Sequence, residues 1–257
     1  MTKRVIVYLV IAFLVAAGVW WFAVRPGKRP STEPPRVHEA AEVTTVTFAG
    51  KLSARNVELF LETVRGKKIT MLVISSGSGE VDAGIKIGSW VFDNRIDVTV
   101  ENLCLSSCAN YVFTAGRRKI IKPGGVVAWH GAALEESGMS DEEVRASVVK
   151  DFNTWPEGNR EKANLEDLVG KAIAQARQQG KERMGRHLDF FRKIGVDESV
   201  CRIGNEKYGA KDFFFLSAKD MARFGISGVE APADYESTDL VPLLIKGKQI
   251  EFIRVGN

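Results

Sequence analysis

Two adjacent serines, Ser106 and Ser107, follow a β-rich apolar run and precede the helix-forming stretch Asn110–Ala115. Serines in that position can cap a helix through a side-chain oxygen. Carried on a strand-to-helix turn at the carboxyl end of a sheet, one of them can instead present its Oγ as a nucleophile. A serine nucleophile needs a base within reach. Of the three histidines, His130 alone closes an apolar strand pattern, Val126–Trp129, and Gly131-Ala132-Ala133 follows it. Outside catalysis, such a histidine is a half-buried ring satisfied by backbone groups. His38 lies in a proline-rich stretch. His187 sits beside Arg186 in polar helical sequence, where a solvated surface position is the simplest expectation.

A third feature is the small-residue loop Ser75-Ser76-Gly77-Ser78-Gly79, directly after the apolar run Ile69–Ile74. Such a loop between a strand and a helix is a tight turn, and it can also aim backbone N–H groups into open space, where they hold an anion. It lacks the Lys-Ser/Thr ending of a mononucleotide loop and the glycine pattern of a dinucleotide fold. Cys104, Cys108 and Cys201 allow one intrachain disulfide and leave one thiol over. Cys104 and Cys108 either bridge across the turn or fill space as small hydrophobes. They become a metal-ligand pair only if His130 and Cys201 converge on them. No metal or cofactor is expected.

The elements that position these residues follow from periodicity. Val43–Phe48 is β-rich, and Ala54–Val64 carries Val57, Phe60, Leu61 and Val64 at helical spacing. Ile69–Ile74 reads as a strand covered on both faces, followed by an amphipathic helix to Val91 and a strand at Ile96–Val100. Lys119–Lys122 and Val126–Trp129 are short strands around the Pro123-Gly124-Gly125 turn. A parallel or mixed sheet with right-handed crossovers brings the loop, the serines and His130 to one edge. From Ser137 helices dominate. Ser140-Asp141-Glu142-Glu143 signals a helix N-terminus, Trp155-Pro156-Glu157-Gly158 interrupts, and a long polar helix covers about 161–192, its charges forming a solvated face. Val200–Ile203 is a short segment, Phe213–Leu216 a buried run, Ser217 the cap of a helix to Phe224, and Leu240–Ile245 with Ile250–Val255 a β-hairpin.

The first 29 residues differ in kind. Lys3 and Arg4 precede an uncharged apolar run from Val5 to Val24, and Arg25, Lys28 and Arg29 follow. Twenty apolar residues in helix span about 30 Å, enough to cross a bilayer. Trp20, Trp21 and Phe22 suit an interfacial belt better than a peptidase site. Residues 30–42 read as a proline-rich linker lifting a domain, residues 43–257, off a membrane. The protein has 36 Lys and Arg against 32 Asp and Glu, and five of those cations belong to the first 29 residues. The remaining 31 cations nearly balance the 32 carboxylates, so nothing points to nucleic acid as a partner.

Phe48 to His130 resembles the catalytic core of the Clp-protease/crotonase superfamily, including its membrane-linked proteases. Ser76-Gly77-Ser78-Gly79 matches the family's oxyanion loop, and Ala83-Gly84 continues the fit. Counting forward from the loop and back from Ala115-Gly116 both put the nucleophile at Ser107, and Pro123 to His130 matches the spacing to the family histidine. Leu103-Cys104-Leu105-Ser106-Ser107-Cys108-Ala109 is also similar to a Cys-x-Ser-x-Cys segment of bacterial exported relatives, which puts Ser106 there instead. The two registers conflict, and the paired spacings favour Ser107. Phe215-Leu216-Ser217-Ala218 and Met221-Ala222-x-Phe224-Gly225-Ile226 resemble the segment after the family's catalytic aspartate.

The resemblance implies an α/β fold with a repeated ββα spiral core, a helical insertion at about 138–195 and an N-terminal transmembrane helix. It implies a serine hydrolase, most simply a peptidase, with backbone N–H groups of Ser78, Gly79 and Cys108 as oxyanion donors. The loop departs from the family in having Gly77 for proline and Ser78 for the first glycine. The aspartate position falls near Gly209, leaving Glu206 and Asp212 as the flanking carboxylates. It also implies a single-pass inner-membrane protein with a periplasmic domain, a polypeptide substrate or partner protein, and assembly into an oligomer. A non-catalytic scaffold on the same fold is the alternative, and acyl-thioester chemistry a more distant one.

Overall fold

The computed structural model describes residues 44–131, 140–236 and 250–256. The expected membrane helix, the linker and the strand at Leu240–Ile245 lie outside the described residues. Among those residues no helix is long and apolar enough to cross a membrane. Val43–Asn257 is one unit, of mixed α/β type.

Its first sheet is parallel throughout and is centred on β3 (Asp97–Leu105). On one side lie β2 (Met71–Ser76) and then β1 (Thr45–Ala49). On the other, β3 serves two neighbours. Val98–Val100 pair with β4 (Lys119–Ile121), which carries β7 (Val229–Glu230) beyond it, and Leu103–Leu105 pair with β5 (Val126–Ala128). Parallel neighbours require crossovers, supplied here by helices Ala54–Val64 and Val81–Asp93. Ser53 caps the first, its hydroxyl accepting from Asn56 N–H, and Val57 and Val64 are buried as their spacing predicts. A second parallel pair, β6 (Phe213–Leu216) with β8 (Ile250–Ile253), joins the first sheet through one antiparallel bridge, Trp129 to Phe214.

Several expectations shift on contact with the structure. The strand expected at Ile69–Ile74 runs Met71–Ser76 and alternates, with Leu72, Ile74 and Ser76 buried and their neighbours half-buried. Burial on both faces belongs instead to the first half of β3, Asp97–Val100. The short segment Val200–Ile203 falls in two helical turns. Asp197 accepts from Ser199 N–H and closes a 3-10 turn, Glu198–Cys201, and the helix Ile203–Tyr208 follows. The interruption at Trp155 is itself a short helix, Glu157–Arg160, begun at Pro156, where a missing N–H costs nothing.

The helical arm begins with Asp141–Phe152, closed by a reciprocal Ser140–Glu143 capping box. The long helix spans Leu165–Ile194, capped by Asn164 and ended by left-handed Gly195. It packs on Asp141–Phe152 and on Val81–Asp93. Phe190 and Phe191 fasten its carboxyl half to the core. The expectation for His187 is overturned, because that side chain points inward from this helix and is fully buried.

Candidate active site

β3 and β5 run parallel with Leu105 opposite Ala128, so the residues that follow each strand emerge at the same sheet edge. On β3 these are Ser106 and Ser107, and on β5 they are Trp129 and His130. Ser106 N–H donates to Ala128 C=O at 3.0 Å, and Ser106 C=O accepts from Asn110 N–H at 2.8 Å. Held at both ends, Ser106 has φ +51°, a left-handed backbone that costs a non-glycine residue about 1–3 kcal/mol. Arg95 is the other described non-glycine residue at positive φ, and it has an ordinary cause. Its N–H donates to Phe92 C=O and Ile96 N–H donates to Val91 C=O, the usual wrapping of a helix end. Ser106 ends no helix. It lies between a strand and the π-helix Cys108–Phe113.

The two serines differ in what their side chains can do. Ser107 is buried, has an ordinary helical backbone and donates its hydroxyl to Gly79 C=O at 2.8 Å. It ties the small-residue loop to the start of the π-helix. Ser106 is half-buried and sits at the apex of the turn. Cys104 and Cys108 are joined by a disulfide with Cα atoms 5.1 Å apart, bracketing Ser106, while Cys201 is a buried free thiol. Among the described residues no cluster of ligands suits a metal ion.

The loop is pinned by Leu52, whose N–H donates to Ser78 C=O and whose C=O accepts from Glu80 N–H. Among the described residues no acceptor takes the N–H of Ser78 or Gly79. Helix geometry likewise leaves the first N–H groups of the π-helix, Cys108 among them, without partners of their own. The loop and the helix N-terminus therefore bring amide donors to the edge that carries Ser106 and His130.

The half-buried His130 ring lies 4.9 Å from the Phe213 ring, centroid to centroid. The following peptide is gripped from two sides. Gly131 N–H donates to Asn205 Oδ1 and Gly131 C=O accepts from Asn110 Nδ2, each at 3.4 Å. Gly131 has φ +46°, so the chain turns sharply there. Of the two carboxylates, Asp212 adjoins Phe213, and its C=O accepts from Asn205 Nδ2. Glu206 is exposed on the helix Ile203–Tyr208 and paired with Arg202. Ser106, Ser107, Cys108, Ser78, Gly79 and His130 thus share one edge, Asp212 precedes the Phe213 that contacts the His130 ring, and Glu206 is engaged elsewhere.

The sequence pattern gives no role to Gly88 or Tyr111, which together with Gly84 seat the π-helix. Gly84 and Gly88, one turn apart on Val81–Asp93, let it approach closely. A β-carbon on Gly84 would lie 2.6 Å from Tyr111 Cδ2, and one on Gly88 2.3 Å from Tyr111 C=O oxygen. The spacing of those glycines was the available signal. Tyr111 OH hydrogen-bonds His187 Nδ1 at 3.0 Å, and His187 Nε2 is 3.6 Å from Glu198 Oε2, beyond hydrogen-bond range. Burial holds the His187 pKa below its usual value, against the opposite pull of Glu198.

The cavity among Asp93, Arg95, Thr114, Arg117, Lys119 and Ser227 measures about 460 Å³ and opens at the amino ends of β3 and β4, far from this edge. Burial lowers the Lys119 pKa to about 8, and its ammonium donates to Gly116 and Ser227 carbonyls. That arrangement stitches two turns together. Compared with known proteins, the chain matches no protein-family model and no curated protein.

Proposed function

We propose that the chain is a serine hydrolase of Clp-protease/crotonase type that cleaves peptide bonds, with Ser106 as nucleophile and His130 as its base. The observation that carries this reading is the left-handed backbone of Ser106 on a strand-to-helix turn, one strand away from the histidine. A nucleophile on such an elbow has its Oγ lifted clear of its own strand and helix. Ser106 displaces Ser107 from the role because the Ser107 hydroxyl is committed to Gly79 C=O.

In this mechanism Ser106 Oγ attacks the substrate carbonyl carbon as His130 takes its proton. The carbonyl oxygen becomes an oxyanion, held by loop N–H groups of Ser78 and Gly79 and by those at the start of the π-helix, Cys108 included. Each such donor is typically worth about 3 kcal/mol in the transition state. His130 then protonates the leaving amine, and water releases the acyl group by the reverse sequence. Asp212 is the carboxylate for orienting His130. Phe213 and the two asparagines restrict the ring and its peptide. The Cys104–Cys108 disulfide favours an oxidising compartment, in keeping with residues 5–24 as a single-pass anchor and a periplasmic domain.

The test is hydrolysis of an unbiased peptide pool by the full-length chain, read by mass spectrometry beside Ser106→Ala. New peptide ends that vanish in the variant support a peptidase. Intact peptides with folded, oligomer-competent protein would favour the scaffold reading.

A further inference from the structure

The disulfide lies where the elbow has to be made. Cys104 sits in the last turn-ward stretch of β3, fixed between Ser76 of β2 and Val127 of β5. Cys108 opens the π-helix. Between them lie only Leu105, Ser106 and Ser107, so the bond closes a small ring with Ser106 at its middle. Both cysteines are fully buried, so the bridge is shielded from bulk thiols once the domain is folded. A covalent tie of this kind acts by removing alternative conformations of the chain it spans. The conformation most in need of such restriction is the left-handed one at Ser106, for which a serine has no intrinsic preference. Neither hydrogen bond of the Ser106 backbone reaches across the turn. One goes out to β5 and one forward to Asn110. The disulfide is the link that spans it.

We propose that Cys104 and Cys108 are positioning residues for the nucleophile: forming their disulfide sets the Ser106 elbow, and the chain becomes competent only after oxidation. The chemistry is two-electron exchange with a disulfide donor. Thiolate of one cysteine attacks the donor disulfide and expels one donor thiolate, the second attacks the protein sulfur of the mixed disulfide and expels the other, and the donor leaves as two thiols that take up the two protons the cysteines give up. An oxidising compartment supplies that donor, whereas a chain held in a reducing one keeps both thiols and a relaxed turn. The burial of both sulfurs makes this a one-way maturation step, completed during folding. The inference rests on the serine-hydrolase reading, but its structural half stands apart from it.

The experiment compares three forms of the full-length chain: oxidised, refolded with both thiols reduced, and Cys104→Ala/Cys108→Ala. Two readouts are taken, the rate of fluorophosphonate labelling and the Ser106 Cα and Cβ chemical shifts. The reduced form keeps both sulfur atoms, so it controls for cavities in the double variant. The expected result is labelling slower on the order of a hundredfold in both altered forms, the loss that small misplacements of reacting groups cause. Ser106 shifts should leave the left-handed range while circular dichroism stays native, and unfolding followed by refolding in oxidised glutathione should restore rate and shifts to the reduced form alone. Unchanged Ser106 shifts without the disulfide would overturn the proposal whatever the activity. An oxidised form that shows left-handed Ser106 shifts, disulfide-dependent, yet never labels would sustain the positioning role and sink the hydrolase reading instead.

Discussion

Adjacent residues of the π-helix Cys108–Phe113 reach one histidine and the peptide following another, and the two histidines lie in opposite settings. Asn110 reaches the peptide after His130, and Tyr111 reaches His187. His130 stands half-buried at the sheet edge beside a serine in a strained turn. His187 is fully enclosed among Tyr111, Phe191 and Glu198. A base must exchange protons with a substrate, and the first setting permits that. The second holds a neutral ring that fastens the long helix to the elbow. On the proposed reading the same side chain serves chemistry in one place and packing in the other, and burial decides which.

Substitutions should separate the two roles. His130→Ala is expected to slow labelling of the serine by a factor of about 10³ or more, with the urea midpoint almost unmoved. His187→Ala should do the reverse, costing about 2–4 kcal/mol of stability by leaving a cavity and breaking the hydrogen bond to the Tyr111 hydroxyl. Urea titration followed by near-UV circular dichroism measures both.

The comparison sharpens with pH. The folded-state pKa of His187 is depressed below the ordinary 6.5, so the unfolded chain binds a proton that the folded chain refuses. Its contribution is fully present above about 6.5 and declines as pH falls towards the folded value. Glu198 and Arg202 face the same ring with opposite effects. The acid-side slope of stability should therefore flatten in His187→Gln.

Tyr111→Phe removes one hydrogen bond to His187 and should cost about 1 kcal/mol. Breaking the exposed Arg186–Asp82 pair, next to His187 in sequence, should cost less than about 0.5 kcal/mol. A large effect there would mean that the helix is held from outside, not through its buried face.

The frame of the fold was legible because apolar periodicity is local. Ala54–Val64 and the Ser140 capping box were readable from spacing and cap chemistry alone. The edge that gathers the loop, the serines and His130 followed from parallel crossovers. What could not be read depended on contacts between distant segments. Whether the serine beside Cys108 or the one before it is exposed depends on the Gly79 carbonyl, 28 residues from Ser107. His187 looks solvated beside Arg186 because its helix is polar, and only the Gly84 and Gly88 approach of Tyr111 reveals the face it serves. The Glu206 carboxylate looked available until Arg202, one turn earlier, engaged it.

The most direct test of the account is to label the full-length chain with a fluorophosphonate and map the modified residue by mass spectrometry in wild type, Ser106→Ala, Ser107→Ala and His130→Ala. The account predicts label on Ser106, retained in Ser107→Ala and lost in the other two variants. Label on Ser107, or label that survives His130→Ala unchanged, would contradict it.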